Sequence, residues 1–280
     1  MSDGYQFLHQ QFQEWYAAEL LDYYYIQNLD LEGRLNEFKI NIINIPWWEE
    51  SLYLLAEKLN LQKRDAELAK LIEITIPADP VFAANFVAKS SNESWVKVKD
   101  KLSNLFRFWY ENTTGYNKEC ALAAMASTGK SDFSDIFIPL IESEDQQVRL
   151  TTYRVSDSFE LTLLGENWQE YIEKYPDNLK GEMLSELIHI RNTEIVGWVF
   201  DNYESLPVEA KFIVIDSLSF RGMIDEDELF VDIDEFSQCN EQIINKGIIS
   251  LPEYVLCDRI SDIFKLFDTL KSTDNKKSII

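Results

Sequence analysis

The segment Ala124-Met125-Ala126-Ser127-Thr128-Gly129-Lys130-Ser131 holds the residue types that cradle a phosphate: a glycine for close backbone approach, a lysine for charge, a hydroxyl for a metal. It places Ala124 where the phosphate-loop pattern opens on glycine. Further on, Phe212 to Asp216 imitates an apolar strand ending on a metal-binding aspartate. A phosphate loop works because a buried strand and a following helix aim its N–H groups at one point. Here the preceding stretch, Cys120 to Met125, is alanine-rich and favours helix, and Pro139 follows soon after. The segment therefore reads as a turn between helices, and Asp216 as a surface position beside Ile213 and Val214. Lys130→Ala is expected to change stability by no more than about 0.5 kcal/mol, as at a surface site.

Asp225-Glu226-Asp227-Glu228 has the charge of a calcium loop, but the sixth position of such a loop, where the turn needs glycine, is Phe230. A solvated loop between helices is the reading adopted. Cys120, Cys239 and Cys257 stand far apart, with no pair at zinc-chelating spacing, and their odd, sparse count fits a reducing compartment. His9 and His189 are the only histidines, too few to argue a nucleophile–histidine grouping. His189, within Leu187-Ile188-His189-Ile190, reads as a core-edge residue. No catalytic residue, metal ligand or bound cofactor is expected from these patterns.

With 49 acidic and 26 basic side chains the chain carries a formal charge of −23, which repels phosphate backbones. Lys97-Lys99-Lys101 and Lys276-Lys277 are too short to form a basic clamp, so nucleic acid is not an expected partner. Met1-Ser2-Asp3-Gly4 lacks the basic and apolar regions of a leader, and no run of about 18 apolar residues occurs. A cytoplasmic protein with no membrane span is expected.

The apolar content is 46% with 9 glycines and 7 prolines, enough for a core and too few turn residues for an all-β chain. Leu8, Phe12, Trp15, Tyr16, Leu20, Tyr23 and Tyr24 recur at helical steps and predict a long first helix that buries this aromatic face. A second helix starts after Pro46 with Trp48, Leu52, Leu55, Ala56 and Leu59 on one stripe, and another amphipathic segment runs from Arg64 to Ile76. Asp79-Pro80 reads as a cap and first-turn proline, and Ser91 or Asn92 as the next cap. Trp95, Val98, Leu102, Leu105 and Trp109 alternate three- and four-residue steps and predict a continuous buried seam.

After Gly115 helix openings fall near Lys118, Val148, Leu179 and Val208, at intervals of 30, 31 and 29 residues. Each interval holds two short helices and two turns, and one pair can bury both its apolar faces only against a neighbouring pair. The first unit runs from Ala121 to Ser127, turns at Gly129, continues from Ile136 to Glu142 through Pro139, and passes Asp145 into Val148-Arg149. That grammar resembles HEAT repeats, whose helix pairs carry a proline and whose next unit opens on Val-Arg. The resemblance implies an all-α fold, an α-α superhelix of HEAT-like or armadillo-like type with a curved binding surface. Glu253 to Leu270 is expected to cap its far end, ahead of a polar tail.

Tyr5-Gln6-Phe7-Leu8-His9-Gln10-Gln11-Phe12-Gln13-Glu14-Trp15-Tyr16-Ala17-Ala18 resembles the segment that closes the ATPase module of NACHT proteins, the signalling ATPases that include NOD-like receptors. Trp47-Trp48-Glu49-Glu50-Ser51-Leu52 and Asp79-Pro80 with Ala83-Ala84 resemble the helices that follow in bacterial members. The resemblance implies that His9 is the histidine that reaches the β-phosphate of bound ADP and holds the off state. It implies residues 1–60 as an N-terminal helical segment ending a NACHT module and 61–280 as the HEAT-like repeat domain. It further implies the non-catalytic, protein-binding sensor or scaffold arm of a NACHT-type signalling protein, of the kind that in bacteria resembles anti-phage sensors, with an upstream ATPase module as a partner. The alternative is a HEAT-type enzyme: a DNA glycosylase, opposed by the acidic charge, or a bilin lyase, supported by fold analogy alone.

Overall fold

The computed structural model describes residues 2–29, 31–155, 159–190 and 192–220, the side chains of 2–9 and 219 not among them. Those residues form an all-α protein, with thirteen α-helices and no strand. In the compact unit Met1–Glu166 lie α1 (Ser2–Tyr24), α2 (Arg34–Phe38), α3 (Glu49–Leu61), α4 (Asp65–Thr75), α5 (Pro80–Ala88), α6 (Asn92–Asn112), α7 (Tyr116–Thr128), α8 (Ser134–Ile141) and α9 (Gln146–Tyr153). In the unit Asn167–Ile280 lie α10 (Trp168–Lys174), α11 (Asp177–His189), α12 (Thr193–Asn202) and α13 (Val208–Phe220).

Side-chain caps explain where several of these helices begin. Asp79 accepts from the Phe82 N–H at 2.9 Å with Pro80 just inside α5, and Ser91 accepts from the Ser94 N–H at 3.1 Å to open α6. Asp145 opens α9 and Asn192 opens α12 in the same way. Arg149, of the Val148-Arg149 pair, is buried and turns back to donate to the Ser143 carbonyl at 2.8 Å and the Glu144 carbonyl at 3.3 Å. The arginine thus satisfies carbonyls left over beyond α8, a local reason for a charged residue inside the packing.

The openings expected near Lys118, Val148, Leu179 and Val208 fall at Tyr116, Gln146, Asp177 and Val208. The first turn of a helix is often polar, so apolar periodicity places an opening two residues late. The spacing also extends upstream of Gly115, because α3 and α5 open at Glu49 and Pro80, 31 residues apart.

Within each unit, side chains about one such interval apart join alternate helices. Asn85 of α5 donates to the Tyr53 hydroxyl of α3 at 2.8 Å, and Lys89 next to α5 pairs with Glu57 of α3 at 3.1 Å. Lys101 of α6 reaches Glu73 of α4 at 3.4 Å, and Arg107 of α6 makes two 2.7 Å bonds to Asp135 of α8. In the second unit Ser185 of α11 meets Ser217 of α13 at 2.8 Å. Exposed pairs of this kind contribute at most about 1 kcal/mol each, so burial stabilises the stack and the polar pairs set its register. Leu55, Leu59, Leu71, Phe86, Leu102, Phe106, Met125 and Phe137 are fully buried in the first unit, as are Ile172, Leu184, Leu187, Val199 and Val214 in the second.

Two sequence expectations fail, each for a physical reason. The seam of α6 runs through Trp95, Val98, Leu102 and Phe106, while Leu105 is exposed. A seam through Leu105 repeats every 3.5 residues and follows only a supercoiled helix; packing on a straighter helix drifts to the residue that keeps a 3.6 period. Among the described side chains of α1, Ala18, Leu21 and Asp22 are buried, whereas Phe12, Tyr16 and Tyr23 are 61, 65 and 66% exposed. Both faces of α1 are apolar enough to pack, and α3 takes the narrower one.

That narrower face is secured by charge. Asp22, 2% exposed, accepts from Arg64 Nη1 at 2.7 and 2.9 Å and pairs with Lys58 at 2.8 Å, and Lys58 also reaches Glu19 at 2.7 Å. Burial pushes the Asp22 carboxyl up, but the hydrogen bonds from Arg64 and Lys58 outweigh it and hold the group below its ordinary value. One carboxylate therefore joins α1, α3 and the turn before α4.

Candidate functional site

Gly129 ends α7 in the left-handed region at φ +60°, and Lys130 leads through a short 3-10 turn, Ser131–Phe133, into α8. A helix, not a strand, precedes the loop, as expected. Two of the N–H groups that would face a phosphate are engaged internally, Gly129 to the Ala126 carbonyl at 3.0 Å and Lys130 to the Thr128 hydroxyl at 3.3 Å. The Gly129 carbonyl accepts from Thr162 at 2.6 Å, Ser131 donates to Glu166, and a Cβ on Gly129 would lie 2.8 Å from Glu160 Cγ. Asp132, Glu160 and Glu166 surround the lysine, a field that repels phosphate.

Lys130 itself is not the surface residue the turn implied: it is partly buried. Burial pushes its ammonium down, and Asp132, Glu166 and Glu160 recover only part of that shift. A lysine whose folded pKa is lowered opposes folding while protonated, and the opposition fades as pH rises through the folded value toward 10.5. Lys130→Met is therefore expected to raise the thermal midpoint at neutral pH by about 2 °C, with the gain shrinking toward pH ~10. A midpoint difference that stays constant across that range would contradict the assignment.

An open groove of the first unit, about 500 Å³, is lined by α5 at Val81, by α7 at Tyr116, Cys120 and Ala123, by α9 at Leu150, and by Arg154 just beyond it. The Cys120 thiol beside the Tyr116 hydroxyl pushes that phenol up. Its lining mixes apolar side chains with polar ones, Glu119, Gln147 and Thr151 among them. Nothing in the sequence marked this groove, because its wall is assembled from residues roughly one interval apart.

His9 lies within α1, but its side chain is not among the described ones. Asp216 is exposed on α13, as expected, and His189 closes α11 with Nδ1 2.7 Å from the Ser185 carbonyl. The Asp225–Glu228 loop, Cys239, Cys257 and the expected end cap at Glu253–Leu270 lie outside the described residues. Among the described residues, no helix is long and apolar enough to cross a membrane, and no group of three or more His, Cys, Asp or Glu is placed to hold a metal ion. The chain is an all-α protein, and among the described residues contacts about one interval apart recur within each unit. No protein-family model, curated protein or solved structure matches it.

Proposed function

We propose that this chain is a non-catalytic helical-repeat module that binds a protein partner, the sensor or scaffold arm of a NACHT-type signalling protein working in the cytoplasm. The recurrence of inter-helix contacts at one interval carries the reading, since a stack of helix pairs joins each helix to its counterpart one repeat away. It is supported by the groove across α5, α7 and α9, and by α1, in which the NACHT-like segment from Tyr5 to Ala18 is one unbroken helix.

The test is enzymatic and genetic. The purified chain alone should not turn over ATP. The coding sequence upstream, in frame or adjacent, should supply a phosphate-loop module. In complex with that module, His9→Ala should raise basal ATP turnover by roughly fivefold or more, the size of a coupling of about 1 kcal/mol lost from the ADP-bound state. No complex and no effect of His9→Ala would remove the sensor-arm assignment. ATP turnover by the chain alone, abolished by Lys130→Ala, would remove the non-catalytic one.

A further inference from the structure

The first helix is fastened to its unit over a short stretch. Among its described side chains none from Gln10 to Tyr16 is buried, and burial begins with Ala18, Leu21 and Asp22, in the last two turns, where α1 packs on α3. Apolar stabilisation follows the area removed from water. On that measure one leucine and one alanine hold α1, whereas α6 buries Trp95, Val98, Leu102 and Phe106.

The rest of the attachment is polar. Lys58 of α3 meets Glu19 at 2.7 Å and Asp22 at 2.8 Å, and Arg64 meets Asp22 at 2.7 Å and Glu67 at 3.0 Å. Desolvation offsets much of the attraction within a buried pair, although stranding one partner is costly. Such a cluster fixes where a helix sits more than it adds to how firmly the helix is held.

We infer that α1 is a releasable arm, latched through Asp22 to α3 and to the turn before α4, which opens as a unit while the helices from α3 onward in the same unit stay folded. Proteins open locally in cooperative pieces, and the pieces with the fewest buried apolar contacts open at the lowest free energy. In this unit α1 is such a piece. Glu19 and Asp22 lie three residues apart on one face of the helix, so a single movement breaks both contacts. Opening uncovers Lys58 and Arg64, which the closed arm holds at 19 and 20% side-chain exposure. The inference goes beyond the sensor-arm reading and does not depend on it.

The test is native-state hydrogen exchange of the full chain, read by mass spectrometry on peptides of α1 and α6 at urea concentrations below the unfolding transition. An opening confined to α1 exposes little surface, so its rate responds weakly to urea, whereas an opening of the whole unit responds steeply. The α1 amides should exchange at least tenfold faster than those of α6 in water and show the flatter dependence on urea. Leu102→Ala, a core truncation within α6, should speed exchange in α6 at least tenfold and leave α1 within twofold. Asp22→Asn should speed exchange in α1 at least tenfold. Equal rates and equal urea slopes in the two helices would make α1 part of the cooperative core and overturn the arm, as would a Leu102→Ala variant that speeds both alike. Unchanged α1 exchange in Asp22→Asn would overturn the latch. Should Leu102→Ala fail to fold, the urea series on the wild-type chain decides. These measurements need no ATPase module, so their failure leaves the His9 test standing, and the reverse.

Discussion

Asp22→Ala is expected to lower the unfolding free energy of the first unit by about 3 kcal/mol at neutral pH, the scale of removing one member of a buried ion pair. The carboxylate is nearly inaccessible, and its loss strands two cations, Arg64 and Lys58, that are themselves mostly covered at 20 and 19% side-chain exposure. Asp22→Asn, which keeps the shape and removes the charge, should fall between the wild type and alanine. The pH dependence has a definite sign. Because the folded pKa lies below the ordinary 3.8, the contribution is complete above that value and disappears as pH falls through the lowered one. Urea unfolding monitored between pH ~7 and ~2 should show wild type and Asp22→Ala converging at the acid end. Parallel curves would mean that Asp22 is not the group that titrates.

Gly181→Leu should destabilise the second unit by about 3 kcal/mol, at the upper end for overpacking a close helix contact. A Cβ alone at this position would lie 2.7 Å from Ile213 Cδ1 and 3.1 Å from the Ala210 Cα, so α11 and α13 touch almost backbone to backbone. The end of Ile213 can rotate away, but the backbone of α13 cannot. Gly181→Ala should therefore be close to neutral, because relief of the glycine penalty in a helix, about 1 kcal/mol, offsets the forced shift. Denaturation followed by far-ultraviolet circular dichroism and by tryptophan emission, with Trp168 and Trp198 in this unit, distinguishes the two substitutions. A Gly181→Leu variant as stable as the wild type would show that the helices separate without loss.

The parts of the fold legible in the sequence are those governed by interactions within about four residues. Asp79-Pro80, Ser91 and Asp145 announce helix starts because a cap needs only its own first turn. The turn at Gly129 was legible from the alanine-rich helix before it. Less legible was the segment around Phe38, Ile42 and Ile43, buried residues on a short helix whose apolar positions are too few to stand out. Lys130 looked like a surface residue because nothing in its neighbourhood in sequence shows that Glu160 and Glu166, some thirty residues later, close over the turn.

The candidate sites divide in the same way. The phosphate-loop likeness of Ala124 to Ser131 could be set aside from local context, and the backbone bonding of the turn gives the atomic reason. The groove beside Cys120 could not be anticipated, since Val81, Tyr116 and Leu150 meet only once α5, α7 and α9 are side by side.

By itself the sequence determined that this protein is all-α, acidic and built of short helices reopening about every thirty residues, because hydrophobic period, capping residues and composition act locally or in sum. Tertiary structure alone decided which face each helix hides. On α1 the aromatic face and the Ala18-Leu21-Asp22 face were both helical stripes, and neither carries a mark of its partner. Burial is a property of two surfaces, so the choice awaited Lys58 and Arg64, which draw Asp22 inward and leave the aromatic rings facing out.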